Sequence, residues 1–124
     1  MNSEMKIDKL SILIPAYNEA KTIHLILDKV KEVELINKIQ KQIIIVNDCS
    51  SDQTKEVIEN YIAEHPTLDI QLFNQAVNMG KGAAIHKAIE LASGQFLVVQ
   101  DADLEYDPEE FNILLSPIVN GFAD

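Results

Sequence analysis

Four acidic residues, Asp101, Asp103, Glu105 and Asp107, fall at alternate positions directly after the apolar run Phe96-Leu97-Val98-Val99. A short apolar run bounded by polar residues reads as a buried strand. The carboxylates then sit just past its C-terminal end, the edge at which open α/β sheets bind ligands. Carboxylates this close disfavour one another's ionisation unless a cation is present. In an extended chain Asp101 and Asp103 point the same way, with α-carbons roughly 6.6 Å apart. Both can approach one ion, or one can hold the ion while the other takes a hydroxyl. Hard oxygen donors, with no His or thiol nearby, suit Mg2+ or Mn2+ rather than Zn2+. The alternative is a solvated acidic turn, and for an Asp-x-Asp triplet alone the two readings are even. Asp107 fits a helix N-cap better than a ligand, because Pro108, Glu109 and Glu110 follow it.

The elements that must position these acids alternate along the chain. Leu10–Ile14 is a β-branched, apolar first strand closed by Pro15. Asn18 then serves as an N-cap, and Ile23, Ile26, Leu27 and Val30 recur at helical spacing, predicting a helix from Ala20 to about Val33. Residues 34–41 form a polar connection. Gln42–Val46 is a second buried strand. A dense run of turn and capping residues, 47–54, leads into a helix marked by Val57, Ile58, Tyr61 and Ile62. Asp69–Phe73 alternates as a half-exposed strand does. The next helix carries Ile85, Ala88, Ile89 and Ala92, with Gly94 as its stop signal. The strand Phe96–Val99 follows, then a helix through Phe111, Leu114, Leu115 and Ile118. The order β-α-β-α-β-α-β-α predicts an α/β fold, a Rossmann-like, mainly parallel sheet with helices on both faces. In such a sheet the loops after all strands gather at one edge.

Those loops bring further candidates. Tyr17 can stack on a flat ring or stand as a rim aromatic. Glu19 can face a ligand or simply favour a helix N-terminus. Asp48 can accept an N–H from a base or form a turn. Ser50, Ser51 and Asp52 read as caps. Lys81, between two glycines at a helix start, can meet a phosphate, though the segment is no P-loop because Ser or Thr does not follow Gly-Lys. His24, His65 and His86 read as surface residues, and Cys49 as a small buried filler.

The bulk properties narrow the function further. The chain has 124 residues, enough for one compact domain, and 47% are hydrophobic. Its net charge is −10 and all its basic residues are lysines, which argues against a nucleic-acid partner. One cysteine cannot form an internal disulfide, which favours a reducing, cytoplasmic setting. No segment has the length of a transmembrane span. Residues 1–9 read as an N-terminal tail without a signal-peptide pattern.

The segments Ser11–Glu19, Ile44–Thr54, Asn78–Ala84 and Gln100–Pro108 resemble, in order, the motifs of family 2 glycosyltransferases, most closely those acting on polyprenyl (dolichol) phosphates. The resemblance runs from about Leu10 to Asp124. It implies a GT-A fold, a UDP- or GDP-sugar donor, a divalent metal (Mg2+ or Mn2+) and inversion at the anomeric carbon. It implies that the loop of Pro15, Ala16, Tyr17, Asn18 and Glu19 holds the nucleotide, with Asp48 at the base. It also implies that Asp101 and Asp103 serve ribose and metal–diphosphate, and that Glu105 joins the metal. A polyprenyl-phosphate acceptor, and work at the cytoplasmic membrane face, rest on the resemblance alone. Two departures stand out: Asn47 where the family commonly has Asp, and Cys49 where it commonly has Gly. The resemblance places the acceptor site and catalytic base beyond residue 124, so residues 10–124 read as the donor-binding part of a longer enzyme. The competing reading is a nucleotide-sugar-binding fragment, or non-catalytic homologue, without turnover. Pairing of the sheet edge at Phe96–Val99 with another chain is open.

Overall fold

The computed structural model describes residues 8–102 and 108–119, excepting the side chains of 118 and 119. Asp103, Glu105 and Asp107 therefore lie outside the described residues. Strands and helices alternate: β1 (Lys9–Ala16), α1 (Ile23–Glu32), a 3-10 turn (Ile36–Lys38), β2 (Gln40–Asn47), α2 (Thr54–Glu64), β3 (Ile70–Asn74), α3 (Lys81–Leu91), β4 (Phe96–Val99) and α4 (Glu110–Val119). The four strands form one parallel sheet in the order β3-β2-β1-β4.

The alternation of apolar side chains splits the core in two. Ile12, Ile14, Ile43 and Ile45 project to one face, where Ile23, Ile26, Leu27 and Val30 of α1, Ile58 and Tyr61 of α2, and Phe111 and Leu115 of α4 cover them. Leu13, Ile44 and Val46 project to the other face, against Ala84 and Ala88 of α3. Those alanines are one helical turn apart, so they share a face. Helices thus lie on both faces, as the sequence order predicts. β4 is an edge strand, and Leu97 and Val99 remain 43% exposed on it.

The central strands run past their expected ends. β1 continues through Pro15 to Ala16, which pairs with Asn47. Proline is tolerated there because the ladder to β4 stops at Leu13, paired with Val99, so the missing N–H has no partner to lose. α1 begins at Ile23, not Ala20, with Thr22 at its N-cap position and no side-chain cap. Its last turn is held by Lys41, whose Nζ donates to the carbonyls of Val30, Lys31 and Val33 at 2.7, 2.8 and 2.6 Å. A cation on these orphan carbonyls favours the helix terminus.

Gly94 does not act as the helix stop, since α3 ends at Leu91 with Ala92 as an extended C-cap. Its role is close packing. A β-carbon there would meet Ser11 Oγ at 2.7 Å, Lys9 O at 2.8 Å and Ser11 N at 2.9 Å. The Gly94 amide donates to Ser11 Oγ, and Ser11 Oγ donates to Gln42 Oε1, joining β1, β2 and the β4 approach end through a buried polar chain.

Candidate functional site

The loops after β1, β2, β3 and β4 converge at the C-terminal edge of the sheet. There they enclose an open cavity of about 400 Å³, whose lining includes Pro15, Tyr17, Glu19, Asp48, Lys81 and Asp101. That volume falls within the range of small-molecule sites, about 300–1,000 Å³. Ala16, Asn78, Gly80, Ala84 and Ala102 complete the wall. Of the sequence candidates among the described residues, Asn18 is the one that does not line it.

Asn18 instead joins two loops. Its backbone adopts φ 54°, the left-handed region that Asn tolerates. Its side-chain oxygen accepts from Ser51 N at 2.8 Å, and its own amide donates to Ser50 Oγ at 3.0 Å. The expected N-cap role is therefore replaced by contacts to the β2–α2 loop. Glu19 N donates to Thr54 Oγ1 at 2.8 Å, and Ala20 N donates to Asp52 Oδ2 at 3.3 Å. Burial pushes the Asp52 carboxyl up, but hydrogen bonds from Thr54 and Ala20 outweigh it and hold the carboxyl below its ordinary value. Thr22 carries the lattice to a third loop, its hydroxyl lying 3.0 Å from Glu19 Oε2 and 3.3 Å from Ala102 O.

Asp48 is buried, and both its oxygens are used by the β3–α3 loop. Oδ1 accepts from Met79 N at 2.8 Å and Gln75 Nε2 at 3.1 Å, and Oδ2 accepts from Gly80 N at 2.8 Å. Gly80 has φ 96°, so the glycine is required where the loop turns into α3. Lys81 follows as the first residue of α3, and its Nζ lies 2.5 Å from Asp101 Oδ1. Next to Asp48, Asn47 is buried and donates from Nδ2 to Asn74 Oδ1 at 2.9 Å while its Oδ1 accepts from Ser50 N at 3.2 Å. An aspartate there would have no N–H for Asn74.

Cys49 corrects an expectation. It is exposed, not buried, and sits at φ 58°. The chain turns left-handed there, and the serines that follow reach back to Asn47 and Asn18. The three histidines do not line the cavity; His65 stacks on Tyr61 with ring centroids 4.0 Å apart.

Comparison with known proteins decides what this edge belongs to. The family model described as "Glycosyl transferase family 2" matches residues 11–124. The chain belongs to glycosyl transferase family 2. It is 41% identical over 110 residues to a dolichyl-phosphate beta-glucosyltransferase, ALG5A, of Trichomonas vaginalis, covering 85% of this chain and 33% of that protein. A mannosyltransferase from Pyrobaculum calidifontis, solved with GDP-Man and Mn2+, superposes with a TM-score of 0.72 at 26% identity, covering 86% of this chain and 30% of that one. S. aureus TarS in complex with UDP superposes at TM-score 0.76 and 26% identity, covering 90% and 32%. The chain thus spans about one third of the length of these relatives. Its sheet and helices are the Rossmann-like α/β arrangement of the GT-A family.

Within the family 2 frame, the donor set can be tested against a divalent metal. Among the described residues no three His, Cys, Asp or Glu side chains gather around one point. Asp101 nevertheless presents a carboxylate to the cavity and already holds a cation there, the Lys81 ammonium. A carboxylate is a hard oxygen donor of the kind Mg2+ or Mn2+ takes, and Asp101 is one such donor in this cavity; Asp103 and Glu105 lie outside the described residues. Gly80, Ala84 and Ala102 escaped the sequence reading as wall residues because small side chains carry no chemical signal. The readable clue is their place: Gly80 and Ala102 adjoin Lys81 and Asp101, and Ala84 lies one helical turn beyond Lys81.

Proposed function

We propose that the chain forms the nucleotide-sugar site of a metal-dependent, inverting glycosyltransferase that uses a UDP- or GDP-sugar. The observation that carries this reading is the convergence of Tyr17, Asp48, Lys81 and Asp101, from four separate strand ends, on one cavity. Tyr17, 47% exposed on the rim, offers an aromatic face to the base. Asp48 and the main chain it holds, with Pro15, Ala16 and Glu19, bound the nucleoside end. Asn18 keeps that loop in place. Lys81 and the first turn of α3 provide the positive pole for phosphates. Asp101, with Asp103 and Glu105, would hold Mg2+ or Mn2+, and such an ion supplies Lewis-acid neutralisation of the diphosphate leaving group.

Inversion requires the acceptor oxygen to attack opposite the departing diphosphate. The likeness to a dolichyl-phosphate glucosyltransferase supports a polyprenyl-phosphate acceptor, and with it work at the cytoplasmic membrane face. Among the described residues no helix is long and apolar enough to cross a membrane. The base for the acceptor is not assigned to any residue of this cavity. A second reading is a nucleotide-sugar-binding module without turnover.

Calorimetric titration of UDP, GDP and their sugar conjugates, with and without Mn2+, tests the donor site on wild type, Asp101→Asn and Asp103→Asn. The expected result is nucleotide binding that Mn2+ strengthens and either substitution weakens. Binding that ignores both the metal and the substitutions removes the metal assignment. Absence of nucleotide binding removes the donor site. A sugar-release assay on the same samples separates transferase from binding module.

A further inference from the structure

We propose that Lys81 and the divalent cation occupy the Asp101 carboxylate in turn, so that nucleotide binding opens the metal site by drawing Lys81 away. The inference rests on the donor-site reading above and adds an exchange to it. Its basis is the ion pair inside the cavity: Lys81 Nζ lies 2.5 Å from Asp101 Oδ1. An ammonium at that distance occupies the space a metal ion needs on the same oxygen, and two cations there repel. The two partners differ in exposure. Asp101 directly follows the β4 ladder, where Gln100 N donates to Leu13 O at 2.9 Å, and its side chain is 27% exposed. Lys81 is anchored at its backbone, because Asp48 holds the amides of Met79 and Gly80. Its side chain is 61% exposed and ends a flexible four-carbon stem.

Lys81 can therefore exchange partners without movement of α3. The alternative partner is an anion at the first turn of α3, where the diphosphate is placed above. A diphosphate there takes the ammonium and leaves Asp101 to the metal. Linkage makes the effect reciprocal: the metal on Asp101 releases Lys81 for the phosphates. With no nucleotide present, Lys81 acts as the metal's competitor. A static strut would behave in the opposite way, since its removal would loosen Asp101 and weaken the metal.

The test is Mn2+ affinity, read by electron paramagnetic resonance of free Mn2+, for wild type, Lys81→Met, Lys81→Arg and Lys87→Met, with and without saturating UDP or GDP. Without nucleotide, Lys81→Met is expected to bind Mn2+ about fivefold more tightly, the scale of a partly exposed ion pair. Lys81→Arg keeps the competing charge and gains nothing. Lys87→Met makes the same change in net charge outside the cavity and also gains nothing. With nucleotide, wild-type affinity for Mn2+ rises and the advantage of Lys81→Met disappears. Equal or weaker Mn2+ binding by Lys81→Met without nucleotide, in folded protein whose wild type binds nucleotide, overturns the exchange alone. No Mn2+ binding by any variant, with or without nucleotide, overturns the donor-site reading and the exchange together.

Discussion

The Asp48 carboxylate accepts the backbone N–H of Gly80 at 2.8 Å, tying the end of β2 to the start of α3. With Met79 N on its other oxygen at 2.8 Å, Asp48 fixes the turn that delivers Lys81 to the cavity. Removing such an acceptor costs about 1.5–3 kcal/mol when the acceptor is charged. Asp48→Ala is expected to lose about 2 kcal/mol in urea unfolding, and Asp48→Asn, which keeps one acceptor oxygen, about half that. Unchanged stability with lost nucleotide affinity would make Asp48 a direct ligand and not the holder of the loop.

Cys49 sits at φ 58° with an exposed side chain. A left-handed residue with a β-carbon costs roughly 1–2 kcal/mol, and glycine's own entropic cost offsets about 0.5–1 kcal/mol of the relief. Cys49→Gly is expected to stabilise by about 0.5 kcal/mol, whereas Cys49→Val, β-branched at the same φ, destabilises by about 1 kcal/mol. Opposite shifts of the urea midpoint at constant slope check this. Shifts of the same sign refute the strain.

Gly94→Ala is expected to destabilise strongly, because two of the three close contacts of its β-carbon are to backbone atoms of Lys9 and Ser11. Overpacking of this kind costs about 1–3 kcal/mol, and the thermal midpoint should fall accordingly. Gly82→Ala is the control. Its β-carbon would meet nothing within 4 Å, and it lies within α3, where alanine is the better residue.

Tyr61 gives the fold an alkaline limit. Burial, the hydrogen bond it donates to Asp28 Oδ1 at 2.8 Å, and the charges of Asp28 and Glu32 all push its phenol above the ordinary value. The unfolded chain ionises this tyrosine near pH 10. Its contribution to stability is therefore complete below about pH 10 and declines as pH rises beyond it. Urea midpoints at pH 8 and pH 11 should fall more in wild type than in Tyr61→Phe. An equal fall in both would show that the phenol is not protected.

Much of this was legible because strand and helix periods differ. β4 matches the apolar run Phe96–Val99 residue for residue, since polar residues bound it on both sides. β1 and β2 ran longer than their apolar signals because a parallel ladder extends as far as its partner does. Asn47 is buried at the sheet edge with its Nδ2 paired to Asn74 on the next strand and its Oδ1 to Ser50. Loop geometry was the least legible part. Asn18 has the residue type of a cap but binds Ser51, 33 positions away. Gly94 has the residue type of a helix stop but is required by Ser11, 83 positions back. Neither partner can be read from local spacing. Apolar character predicts burial for Cys49, whereas the residue sits exposed at a left-handed turn that its type does not announce.

The chain has a single cysteine, and it is exposed beside the cavity's framework, with Sγ 3.5 Å from Ala76 O in the β3–α3 loop. That loop is the one that carries Gly80 into Lys81. These 124 residues therefore carry their own labelling address: one maleimide fluorophore attaches at one position, without engineered thiols, next to the segment whose neighbours would hold the ligand. Emission from that dye can be read during titration with nucleotide or metal, making occupancy of the proposed donor site visible without any substitution in these residues.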